Sequence, residues 1–178
     1  MAIIISRMIS MSSSHTTYAT TVLSILMRDS DRAQDIGLTP LSIAGLGLVV
    51  VGAWLREKCY RALGPLFTIE LAIRKDHKLV TTGPYGVVRH PSYAGILAVQ
   101  AGLVCWFCSP GSWLRESGVL ESTVGSGFVY VSGLILGFII MFGVSRMGRE
   151  EKELRKAFGG EWDAWARRVP YRLVPGLY

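Results

Sequence analysis

Two short stretches of this chain carry residue types able to do chemistry, while half of all its residues are hydrophobic. The first reads DHKLVTTGPYGVVRHPSYAG, residues 76–95, with Arg89 and His90 directly before Pro91, Ser92 and Tyr93. Gly83-Pro84 is a turn signal, and a proline after Arg-His fits the first turn of a helix. A carboxylate or other anion at that helix start would meet free backbone amides, the positive end of the helix dipole and two hydrogen-bonding side chains. By composition alone, however, Arg89 and His90 reaching to lipid headgroups with Tyr85 and Tyr93 as interfacial aromatics is the plainer reading. The second stretch holds Arg146 and Glu150, four residues apart and so on one face of a continuing helix. Such a pair could hold the two charges of a zwitterion, Arg on a carboxylate and Glu beside an ammonium or sulfonium. Taken in isolation it is an ordinary surface ion pair, worth less than about 1 kcal/mol.

The elements that must position these residues are apolar. Only 18% of the residues are charged, and three blocks carry no Asp, Glu, Lys or Arg: Ile36–Leu55, Tyr93–Leu114 and Ser122–Ser145. A helix crossing the hydrocarbon core needs roughly 20 residues, so each block is a candidate span. The middle one is cut by Cys108-Ser-Pro-Gly111 and reads as a tilted or incomplete crossing, paired with the last block as a hairpin. Farther on, Leu154, Phe158, Trp162 and Trp165 recur at spacings of four, four and three, an apolar stripe on a basic helix that would lie on the membrane surface and close over the site.

Charge distribution orients the chain. Residues 56–91 hold seven Lys and Arg, residues 146–178 hold eight, and the connection 115–121 holds one against two acidic residues. Basic loops stay cytosolic, so both motif-bearing stretches are expected there and the hairpin tip on the far side. The net charge of +6 suits anionic headgroups, and no nucleic-acid-binding motif is present. Residues 1–35, rich in Ser and Thr from Ser10 to Thr21, read as a leader without a signal-peptide core; Tyr18–Met27 could add a fourth membrane-associated helix. Residues 36–178 form the single membrane domain. Cys59, Cys105 and Cys108 have neither a second pair nor a nearby His and are expected to be small buried hydrophobes, with no metal site. The ending Pro-Gly-Leu-Tyr is not a prenylation box.

Together the two stretches resemble the isoprenylcysteine carboxyl methyltransferases. The resemblance rests on HKLVTTGPYGVVRHPSYAG at residues 77–95 and on R-x-x-x-EE-x-x-L-x-x-x-FG-x-EW followed by RVP at residues 146–170, in the family's order and separated by a hydrophobic hairpin. RHPSY alone would also suit the wider group that includes phospholipid N-methylating enzymes. The resemblance implies an all-α polytopic membrane protein with three to four spanning helices, a cytosolic donor-binding loop and an interfacial C-terminal helix. It also implies residence in the endoplasmic reticulum, S-adenosyl-L-methionine as methyl donor, and prenylated protein C-termini and membrane lipid as partners. On this chain it assigns the donor to His77, Lys78, Leu79, Val80, Tyr85, His90, Pro91, Ser92, Tyr93 and Glu150, and the substrate carboxylate to Arg146, with Arg146 and Glu150 as the catalytic pair. Three departures stand out: Glu70 occupies the place of a donor-site glutamine, Trp162 and Trp165 replace tyrosines, and the N-terminal part is shorter than in larger members.

Methyl transfer from a sulfonium to a carboxylate is an in-line displacement. It is catalysed chiefly by alignment and exclusion of water, and needs no general base because the carboxylate is already ionised. A phospholipid amine, the alternative acceptor, must first lose a proton, which would enlist His90 or Glu150 and leave Arg146 without a task. A non-catalytic family member is the remaining alternative, hinted at by Glu70 and the short N-terminal part.

Overall fold

A computed structural model describes residues 24–28, 30–64 and 78–177, and these are helical, with no strand among them. Among the described residues three helices are long and apolar enough to cross a membrane, and the protein is an integral membrane protein. Helix α1, Pro40–Leu63, starts on a reciprocal cap in which Thr39 Oγ1 accepts from the Ser42 amide at 3.3 Å and Ser42 Oγ from the Thr39 amide at 2.8 Å. With Pro40 at the first helical position, donors that would otherwise lie open at the helix start are satisfied or absent. Helix α2, Pro91–Cys108, likewise begins on a proline and stops where Ser109-Pro110-Gly111 turns the chain, Gly111 taking a φ of 75°. A four-residue helix α3, Trp113–Glu116, capped by the Ser112 side chain, leads into α4, Thr123–Phe158.

At 1.5 Å per residue the 36 residues of α4 extend about 54 Å, well past a hydrocarbon core of about 30 Å. The helix runs unbroken through Arg146 and Glu150, so the two lie on one face, the condition that their spacing had left open. The apolar stripe beyond it is not on one helix. Gly159 adopts a φ of 50°, a conformation that favours glycine, and divides α4 from α5, Gly160–Arg168. Leu154 and Phe158 thus belong to α4 and Trp162 and Trp165 to α5.

The chain divides into two compact units, one of Met1–Gly47 with Gly102–Ile135, the other of Leu48–Ala101 with Leu136–Tyr178. In the first, a Cβ on Gly45 would come within 2.7 Å of the Gly102 carbonyl, so α1 and α2 touch there backbone to backbone. The Arg28 amide donates to Ser117 O at 2.8 Å, Trp113 Nε1 to Leu26 O at 3.0 Å, and Arg32 pairs with Glu121 at 2.9 Å. Part of the expected leader is therefore folded onto α3 and its flanks, while residues 1–23, and with them most of Tyr18–Met27, lie outside the described residues. In the second unit α1 and α2 meet again through glycine: a Cβ on Gly52 would lie 2.6 Å from the Gly95 carbonyl, and one on Gly95 2.8 Å from Arg56 Cγ. Cys59 is buried in this unit as expected, but Cys108, at the end of α2, is exposed.

Candidate functional site

The second unit gathers most of the residues singled out from the sequence. Arg146 and Glu150 share a face of α4, and Arg146 Nε donates to Glu150 Oε1 at 2.8 Å. Tyr93, in the first turn of α2, donates its hydroxyl to the same oxygen at 2.7 Å. The buried ring of His90 has Nδ1 3.7 Å from Glu150 Oε2 and lies edge-on to the Tyr93 ring. Residues about 60 positions apart, which sequence order separates by a hydrophobic hairpin, thus gather on one carboxylate, Tyr93 by a hydrogen bond and His90 by close approach. Gly143, one helical turn before Met147 and Arg146, faces the Tyr93 ring, which lies 3.5 Å from where a Cβ would stand, an ordinary packing distance.

The His90 ring also spans a second carboxylate. Its Nε2 lies 3.2 Å from Glu151 Oε1, and Glu151 receives Arg172 Nη2 at 2.6 Å and Arg172 Nε at 3.2 Å. Arg89 Nε adds a second guanidinium at 3.2 Å, off the hydrogen-bond line. Glu151 and Arg172 were not among the expected site residues. The second Glu of the Glu-Glu pair was the available sign of Glu151; for Arg172 the sequence offers no local sign.

The start of α2 differs from the expectation in one respect. The Arg89 amide donates to Tyr171 O at 2.9 Å and the His90 amide to Arg172 O at 2.8 Å, while the amides of Tyr93 and Ala94 turn back to His90 O. Two of the backbone donors at this helix start are thus taken by the C-terminal segment and two by His90 O, and positive charge at the site comes from side chains. Arg56 of α1, also missed, supplies part of it: its Nη1 lies 3.5 Å from both the carbonyl and the hydroxyl oxygen of Ser92, and Nη2 donates to Tyr60. Its stem crosses the flat surface of Gly95, the close approach that glycine there permits.

The loop before α2 is held by the tryptophans of α5. Trp162, Trp165 and Val169 form a buried cluster against Leu79, Tyr85, Leu154 and Phe158, and Trp165 Nε1 donates to Tyr85 O at 3.1 Å. The stripe therefore turns its indoles onto the loop and closes over it. The Trp162 ring lies beneath the guanidinium groups of both Arg89 and Arg155. Tyr85 itself is half-buried, and burial, with Cys59 beside it, pushes its phenol well above the ordinary tyrosine range. Pro91 is fully buried, Lys78 is exposed and Val80 half-buried; neither Lys78 nor Val80 joins the hydrogen-bonded set. His77 and Glu70 lie outside the described residues.

Residues 45–114 match the isoprenylcysteine carboxyl methyltransferase (ICMT) family. The chain is 30% identical over 133 residues to protein-S-isoprenylcysteine O-methyltransferase B of Arabidopsis thaliana, covering 73% of this chain and 57% of that protein. With protein-S-isoprenylcysteine O-methyltransferase of Schizosaccharomyces pombe it shares 28% over 130 residues, 71% of this chain and 47% of the relative. A Delta(14)-sterol reductase of Mus musculus is 27% identical over 101 residues, 57% of this chain but 20% of the reductase. The chain thus spans roughly half to three-fifths of the methyltransferase relatives' own length. Family match, relatives, apolar helices and the two motif stretches coincide in their likeness to the isoprenylcysteine carboxyl methyltransferase family.

Proposed function

We propose that this chain transfers a methyl group from S-adenosyl-L-methionine to the C-terminal carboxylate of isoprenylcysteine on prenylated proteins, at the cytosolic face of the endoplasmic reticulum membrane. The observation that carries the reading is the set joining Arg146, Glu150, Tyr93 and His90, supplied by α2, α4 and the residue before α2, where both helices are long and apolar enough to cross a membrane. When bound, the donor supplies an electrophilic methyl on a sulfonium. The residues present fit such a group: Glu150 is a partly buried carboxylate between Tyr93 and His90, suited to a cation, and Tyr85, Leu79 and the indoles offer apolar and aromatic surface. His90, Pro91, Ser92, Tyr93 and Glu150 would hold it, with His77, Lys78, Leu79, Val80 and Tyr85 along the loop.

Arg146 takes the acceptor. Its side chain is 25% exposed, and a planar guanidinium aligns a carboxylate through paired N–H groups in a way that lysine does not. The acceptor is ionised at neutral pH, no proton moves, and the chain's task is to align one oxygen with the methyl axis and keep water out. A long prenyl group would remain in lipid beside helices whose outward surfaces are apolar, such as Phe128, Leu134 and Phe138 of α4.

The test is transfer of radiolabelled methyl from S-adenosylmethionine to N-acetyl-S-farnesylcysteine by the purified, detergent-solubilised chain, with phosphatidylethanolamine in parallel. Base-labile label on the farnesylcysteine is the expected result. Label on the lipid amine alone would overturn the carboxylate assignment, and absence of donor binding would overturn the methyltransferase reading.

A further inference from the structure

We infer that Arg172 is a positioning residue of the donor site, acting through Glu151 on the ring of His90; the inference rests on the donor-site reading above. An imidazole held at one nitrogen has the direction of its other nitrogen set. The contact of His90 Nε2 with Glu151, at 3.2 Å, therefore decides where Nδ1 points, and it points toward Glu150 at 3.7 Å. Glu151 can brace the ring only if its own carboxylate is fixed. Arg172 does this with two prongs, Nη2 on Oε2 at 2.6 Å and Nε on Oε1 at 3.2 Å. Such two-pronged pairing restricts the carboxylate's rotation as well as its position.

The same residue also reaches His90 by a second route, since the Arg172 carbonyl accepts the His90 amide at 2.8 Å. Main chain and side chain of one residue thus hold the two ends of His90. Substitution of the side chain leaves the main-chain bond in place and separates the two.

Arg172 is also the member of this group that can be removed with the fold intact. Its side chain is 35% exposed against 10% for Glu151, and without it Glu151 still faces Arg89 and His90. Removing Glu151 instead would leave Arg89 and Arg172 without their shared counter-charge and His90 Nε2 without its partner in a buried setting, and loss of fold would obscure the result.

The experiment is a double-mutant cycle on the full chain in detergent, measuring equilibrium binding of S-adenosylmethionine by calorimetry for wild type, Arg172→Ala, His90→Ala and the double variant. Arg172→Ala is expected to weaken binding about tenfold, the scale of a charged hydrogen bond lost at a half-exposed site. In the His90→Ala background the same substitution is expected to change nothing further, because the ring on which it acts is gone. Arg172→Lys, which keeps the charge but not the fork, is expected to recover part of the loss. Wild-type affinity in Arg172→Ala would overturn the inference, as would a full tenfold loss repeated in the His90→Ala background. If wild type itself binds no S-adenosylmethionine, the donor reading fails and takes this inference with it.

Discussion

Arg146, Tyr93 and Glu150 share hydrogen bonds, yet their substitutions should separate into different kinetic effects. Arg146→Ala is expected to lower methylation of N-acetyl-S-farnesylcysteine at least about a hundredfold, the cost of a misplaced acceptor. Donor affinity should change only about twofold, the worth of an i,i+4 pair, because Tyr93 still holds Glu150. Arg146→Lys should restore little of the rate. Tyr93→Phe is expected to do the reverse, weakening S-adenosylmethionine binding about tenfold while single-turnover methyl transfer at saturating donor falls less. Equal losses of donor affinity in Arg146→Ala and Tyr93→Phe, measured by calorimetry, would contradict this division. Tyr85 adds a pH effect. Burial raises its folded pKa above the unfolded value of about 10, so its contribution to stability is complete below that pH and is lost as pH rises through the folded value. Alkaline unfolding of the wild type should therefore include a component absent from Tyr85→Phe.

At the level of elements, the pairing of α1 with α2 is set by glycines. A Cβ at Gly52 would lie 2.6 Å from a carbonyl oxygen of the facing helix and 2.9 Å from the Val99 amide nitrogen, so the two backbones must separate to accept it. Gly52→Ala is expected to cost about 1–3 kcal/mol, read as a lower unfolding temperature in detergent. Gly47, on the same helix, has nothing within 4 Å of a Cβ, so Gly47→Ala should be neutral or slightly stabilising. The consequence for the site is direct, since separation at Gly52 and Gly95 withdraws Arg56 from Ser92 at the start of α2. The presence and order of the apolar helices were legible in the uncharged blocks, because an apolar run is a local property, but their lengths were not: α1 runs to Leu63, past Leu55, and α4 to Phe158, past Ser145. The break at Gly159 was not, because a stripe at spacings of four, four and three continues across it and only the glycine's positive φ divides the helix.

For the whole molecule, the charge pattern predicts sidedness. Basic residues fill the stretch 56–91 that leads from α1 into α2 and follow the apolar part of α4, so the α2–α4 connection is expected on the non-cytosolic side. In sealed microsomes, exposed Cys108 should react with a membrane-impermeant maleimide only after the lumen is opened, and buried Cys59 should stay protected throughout. Labelling of Cys108 from the outside of intact vesicles would reverse the topology. By itself the sequence determined the membrane class, the presence and order of the apolar helices, the shared face of Arg146 and Glu150, and the family likeness, since these depend on composition, periodicity and motif spacing along a continuous stretch. Tertiary structure alone decided that Tyr93 and His90 meet Glu150, that Arg172 and Arg89 converge on Glu151, and that carbonyls of the C-terminal segment occupy the amides before α2. These contacts join residues from 21 to more than 60 positions apart. No periodicity or propensity encodes them, because each depends on where a separate element has packed.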